Sequence, residues 1–160
     1  MVIADSGPLI ALARLGLLGL LPRQFADVLV PQEVLTECTS DPGKPRAARI
    51  SIALAEGLFK VVAVSGVDTF STLHGVDTGE VAALILALER RCPALVDERR
   101  GRRVAADLGI PLVGTLGVLL HGRLTGQIGQ LAPLLAALDE FGYRLSPHLV
   151  QAVLQRAGEA

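Results

Sequence analysis

The chain has 160 residues, of which 51% are hydrophobic, 3% aromatic and 19% charged, and its formal net charge is −1. That length fits one ordinary domain with a sizeable core, and so apolar a composition excludes a disordered or fibrous protein. The near-neutral balance excludes a protein that coats nucleic acid by bulk electrostatics, so a phosphate-binding surface has to be local, as in the basic segments Lys44 to Arg49 and Arg99 to Arg103.

The first residues, Met-Val-Ile-Ala-Asp, lack the basic region and cleavage site of a signal peptide and read as a first strand, Val2 to Ala4, stopping at Asp5. Ser6-Gly7-Pro8 then opens a leucine-rich helix running to Leu20, with Ser6 as its cap and Pro8 in its first turn. The longest apolar stretch, Leu9 to Leu21, contains Arg14 and falls short of the roughly 18 to 20 residues of a membrane span. No transmembrane helix is expected, and a cytoplasmic location follows by default. Asp27 to Val30 reads as a second strand, and Pro31 to Cys38 as a helix that starts with proline.

Thr39 to Pro45 is a loop by composition, Arg46 to Glu56 a helix, and Lys60 to Val64 a strand. Asp77-Thr78-Gly79-Glu80 precedes an alanine- and leucine-rich helix, Val81 to Leu88. Ala94 to Val96 is a strand stopping at Asp97, Arg99 to Leu108 a helix ended by Gly109, and Pro111 to Val113 a last strand before Gly114-Thr115. From Leu116 onward the chain is nearly all helical, broken at Gly126 and Gly142, with a fresh start at Ser146-Pro147. Such alternation calls for an α/β fold with a parallel sheet covered by crossover helices. Cys38 and Cys92, without metal-ligand spacing, read as core fillers.

In open parallel sheets, ligands bind outside the carboxyl ends of the strands. Asp5 and Asp97 are each the first polar residue after an apolar strand, so the fold should bring both carboxylates to one sheet edge. Glu37 and Glu80 lie on helices from which they can reach that edge. Four carboxylates brought together repel and raise one another's pKa values unless a divalent cation neutralises them. Hard oxygen donors in this number suit magnesium or manganese, which can activate a bound water and stabilise charge on a phosphate.

Each residue has a second reading. Asp5 can belong to an Asp-Ser-Gly turn, Asp97 can be a solvated loop residue, and Asp77-x-x-Glu80 fits a capping box. Glu33 is explained by the helix dipole alone, leaving Glu37 the better candidate, whereas Glu98 can stand in for Asp97. Ser6 and Thr115 can support the site or cap their helices. Arg99 and Arg100 are candidate phosphate contacts, against a solvated helix face with Arg103 paired to Asp107. His74, His121 and His148 have no mutual ligand spacing and read as surface residues. Walker-type, dinucleotide and GxSxG motifs are missing.

Taken in order, Val-Ile-Ala-Asp5-Ser-Gly-Pro-Leu-Ile-Ala-Leu, Val-Pro-Gln-Glu-Val-Leu-Thr-Glu37, Asp-Thr-Gly-Glu80-Val-Ala-Ala-Leu and Leu-Val-Asp97-Glu-Arg-Arg-Gly-Arg-Arg-Val-Ala resemble a PIN-domain protein. The nearest likeness is to a prokaryotic branch related to the VapC-type toxin ribonucleases, and it spans roughly residues 1 to 125, including Gly-Thr115-Leu-Gly-Val-Leu-Leu. The resemblance implies a three-layer α/β/α sandwich with a central, mainly parallel sheet; residues 126–160 lie beyond the likeness and are expected to form a helical C-terminal extension packed on the same domain. It further implies endonucleolytic cleavage of single-stranded RNA with Mg2+ or Mn2+, pairing with a small antitoxin protein, and homodimerisation. Position by position, Asp5, Glu37, Glu80 and Asp97 take the four metal-ligand and catalytic places. The third acid is Glu where many members have Asp. The competing expectation is an inactive PIN-like module that binds RNA or an antitoxin-like partner.

Overall fold

The structure, a computed structural model, describes residues 1–160 apart from the side chains of residues 71–74. Five short strands, β1 (Val2–Ala4), β2 (Val28–Pro31), β3 (Lys60–Val62), β4 (Ala94–Leu95) and β5 (Leu112–Val113), form one sheet in the order β3-β2-β1-β4-β5. Every pairing is parallel, with Ile3 opposite Leu29 on one side and Ala94 on the other. The central strands are continuous apolar runs because both faces of the sheet are covered.

Alternate side chains point to opposite faces of a strand, and the core divides accordingly. Val2, Ala4, Val28, Val30 and Leu95 face the helices α1 (Ser6–Leu15), α2 (Leu20–Gln24), α3 (Gln32–Thr39), α4 (Pro45–Ala55) and α8 (Thr115–Leu124), together with α9 (Ala132–Glu140) and α10 (Pro147–Arg156). Ile3, Leu29, Ala94 and Val96 face α5 (Val67–His74), α6 (Thr78–Arg90) and α7 (Arg99–Asp107). This is the three-layer sandwich expected. The C-terminal helices share its first core through Leu131, Leu135, Leu138, Val153 and Ala157. No helix is long and apolar enough to cross a membrane among the described residues.

Several local expectations are corrected. The leucine-rich segment is two helices, because Gly16 adopts a left-handed φ of 70° and its N–H closes α1 onto the Ala13 carbonyl. Ser6 is the first helical residue of α1 and not its cap; Asp5 stands at the N-cap without making a side-chain cap hydrogen bond to α1. Likewise Gly114, not Thr115, is the N-cap of α8. Helix α5 falls in a stretch where no element was expected. His121 and His148 are exposed, whereas the side chain of His74 lies outside the described residues. Both cysteines are buried and free.

Candidate active site

At the carboxyl edge of the sheet a crevice of about 410 Å³ is lined by the six carboxylates of Asp5, Glu37, Asp77, Glu80, Asp97 and Glu98. Asp5 follows β1 and Asp97 follows β4, its parallel neighbour, so the pairing of Ala4 with Leu95 delivers both acids to one place. Glu37 arrives from the last turn of α3, Asp77 and Glu80 from the start of α6, and Glu98 from the N-cap of α7. Ser6 also lines the crevice. All four acids expected at the site are therefore among its walls.

Their environments differ. Asp5 is 3% exposed, and its Oδ1 is a buried acceptor with no hydrogen-bond partner. Burial, reinforced by Asp77, Glu37 and Asp97, pushes its pKa up to about 7 against a single backbone hydrogen bond from Ser6. Glu80 is 6% exposed and is raised to about 8 by burial and by Asp77, Asp5, Glu98 and Glu37. Partial desolvation and Asp77 also raise Glu37, while the Ser6 hydroxyl and the Arg46 guanidinium pull it the other way. Carboxylates pushed upward by burial and, further, by one another mark a place suited to a positive charge.

The glycines around them are spacers. A Cβ on Gly79 would lie 2.6 Å from Oε2 of Glu37, and one on Gly101 would crowd Val96 at 3.2 Å and only touch the Glu80 carboxyl. Asp77 caps α6, its Oδ1 accepting from the Glu80 N–H at 2.9 Å, which leaves the Glu80 carboxyl to the crevice.

Asp97 is tied down. Its Oδ1 accepts from the Thr115 N–H at 2.9 Å, and its Oδ2 from the Thr115 hydroxyl at 2.5 Å and from the Tyr143 hydroxyl. Thr115 thus orients an acid at the amino end of α8. Asp97 is half-buried and bonded where Glu98 is exposed on the rim, although both reach the crevice.

Asp77, Tyr143 and Arg144 are site residues that sequence reasoning missed. Asp77 was credited only with capping. Tyr143 and Arg144 come from the turn between α9 and α10, and one signal pointed there: Tyr143 is the only tyrosine of the chain and follows a helix-breaking glycine. Neither Arg99 nor Arg100 lines the crevice, and Arg100 donates to the Gly75 carbonyl at 2.8 Å. Arg102 donates to the Val96 carbonyl at 2.7 Å, and Arg103 makes no ion pair with Asp107 among the described residues.

An all-oxygen donor set of carboxylates, with an unpartnered oxygen on Asp5, fits a hard divalent cation. Among the described residues no three acidic, histidine or cysteine side chains converge tightly enough to hold an ion as they stand. Magnesium-type ions do not require that convergence, since they keep several waters and use one or two carboxylates directly.

Compared with known families, residues 1–159 match a family model described as a PIN domain. The match takes in α9 and α10 as well as the sheet. No curated protein matches the chain.

Proposed function

The chain belongs to the PIN-domain family, and on that footing we propose that it is a magnesium- or manganese-dependent endoribonuclease acting on single-stranded RNA. PIN domains are in general nucleases, which makes a hydrolase the coarse reading. The observation that carries the finer one is the crevice itself, where carboxylates from separate elements surround Asp5 and its unpartnered Oδ1.

When bound, a divalent cation would neutralise these acids, activate water and stabilise charge on a phosphodiester. Asp5, Glu37, Glu80 and Asp97 are the residues that would hold it. Thr115 fixes the direction of Asp97, and Gly79 leaves Glu37 its room. Asp5 and Glu80, raised to near neutrality in the metal-free protein, would give up their protons as the cation binds, so metal binding is favoured as pH rises.

Kinship with VapC-type toxins, an antitoxin-like partner and a homodimer belong to the same proposal. Pull-down with the product of a neighbouring open reading frame and sedimentation of the pure chain test them. The second reading, an inactive binding module, is favoured by Asp97, whose two oxygens already carry donors. Calorimetric titration with manganese decides between them, because the nuclease binds at millimolar metal and the module does not. Asp5→Asn should abolish RNA cleavage while keeping the fold, and a folded Asp5→Asn protein that cuts as fast as its parent would refute the nuclease reading.

A further inference from the structure

Beside the acidic crevice lies a second cavity, about 500 Å³, of the opposite character. Arg14, Lys44, Arg46, Arg49 and Phe141 line it together with Pro45, and no carboxylate does. Four cations gathered in one groove of a chain with net charge −1 are a local excess that folding has concentrated. None of the four makes an ion pair among the described residues. Arg46 keeps a buried Nε without a hydrogen-bond partner, and the amino end of α4, at Pro45, adds its own partial positive charge.

The other contacts in the groove hold it open. Arg49 donates to the Ala13 and Arg14 carbonyls at 2.8 and 3.0 Å, so it closes the carboxyl end of α1 and stays in place. Arg14 donates to the Phe141 carbonyl at 2.9 Å, and its guanidinium stands over the Phe141 ring, 5.3 Å from the centroid. Phe141 as a residue is still 42% exposed, an uncommon condition for a large aromatic in a chain with so few.

Position joins this groove to the acids. Phe141 lines the groove, while Gly142, Tyr143 and Arg144, the next residues, line the crevice, so one short strap contributes to both. Arg46 is near enough to Glu37 to act on its charge.

We infer that the groove seats the phosphates of single-stranded RNA flanking the bond at the crevice, with Phe141 as a stacking surface for one base. Cations that track a backbone and an aromatic face beside them are the two parts that sequence-tolerant single-strand binding needs. The inference rests on the ribonuclease reading of the crevice, but its test does not require hydrolysis.

The full chain is titrated against fluorescein-labelled oligouridylate in EDTA, with anisotropy as the readout. Lys44→Ala with Arg46→Ala should weaken binding about tenfold or more and flatten the salt dependence by about 1.4 in log–log slope, for two phosphate contacts at roughly 0.7 each. Arg23→Ala with Arg156→Ala, exposed and outside the groove, should change neither. Lys44→Glu, at an exposed N-cap, is the single variant that leaves the core untouched and should weaken binding by a similar factor. Parental affinity and parental salt slope in the double variant overturn the inference, as does duplex RNA competing as well as the single strand. Absence of metal-dependent cleavage alongside weakened binding in the variants removes the nuclease reading and leaves the groove; loss of cleavage in Asp5→Asn alongside unchanged binding in the groove variants does the reverse.

Discussion

The Tyr143 hydroxyl donates a hydrogen bond to the Asp97 carboxylate, joining the turn before α10 to the acid that follows β4. The same oxygen accepts from Thr115, whose N–H holds the other carboxylate oxygen, so Thr115 aims the acid while Tyr143 takes up a lone pair that a cation would also use. Thr115 is fully buried at the first turn of α8 and cannot leave, whereas Tyr143 sits on a turn. Tyr143→Phe should therefore tighten manganese binding by about fivefold, equivalent to about 1 kcal/mol for one hydrogen bond, with the fold kept. Thr115→Val should act oppositely, since outer-shell partners of a metal ligand typically contribute about tenfold or more in affinity. Isothermal titration of both variants reads the two signs.

Gly79→Ala separates stability from function. Helix propensity favours Ala over Gly by up to about 1 kcal/mol, and the atom that the new methyl would meet is the end of an exposed, flexible Glu37 side chain. The melting temperature should hold or rise slightly while manganese affinity and RNA cleavage fall, because Glu37 has to swing out of the crevice. A variant that keeps full manganese affinity would place Glu37 outside the metal-binding set.

Acidity should stabilise the metal-free protein. Asp5 titrates near 3.8 when unfolded and near 7 when folded, and Glu80 near 4.5 and near 8, so the native state binds more protons between those limits. Their favourable contribution is complete below about pH 4 and is lost as pH rises through 7 to 8. Melting curves in EDTA should fall by several degrees across that interval, and millimolar manganese should restore the loss at the alkaline end. Asp5→Asn, which removes one of the two groups, should flatten the curve.

Glu159 behaves in the opposite sense. Its carboxylate accepts from the Leu131 and Ala132 amides at 2.8 and 3.0 Å and pairs with Arg123 at 3.4 Å, and these contacts lower its pKa. The stability it confers is present above the ordinary glutamate pKa and disappears as pH falls through the depressed value. Glu159→Gln should lower the melting temperature at neutral pH and narrow the difference from the parent under acid, as followed by circular dichroism.

The sequence showed much of the site because strand ends are punctuated: Asp5 and Asp97 each follow an apolar run, and the parallel pairing of β1 with β4 does the rest. Glu80 was visible from its place at the start of a helix able to reach that edge, although a capping box with Asp77 offered it a rival role; the same box hid Asp77, whose carboxylate both caps α6 and lines the crevice. Helix α5 escaped because Val67 to His74 mixes β-branched and polar residues with no sustained apolar period. Gly16 and Gly19 divide a leucine-rich segment that composition alone reads as continuous. Nothing local links position 143 to position 97, or Phe141 to Lys44; those contacts exist only once α9 and α10 dock on the first core.

The central place of β1 has a kinetic cost. Ile3 pairs with both Leu29 and Ala94, so β1, made before either partner, stays half-bonded until β4 has followed it about ninety residues later. Sheets closed by such distant partners form slowly and expose unpaired edges while they wait. Refolding of this chain should thus be limited by the long-range pairing of β4 with β1, and substitutions in Ala94 to Val96 should slow it more than comparable ones in α10.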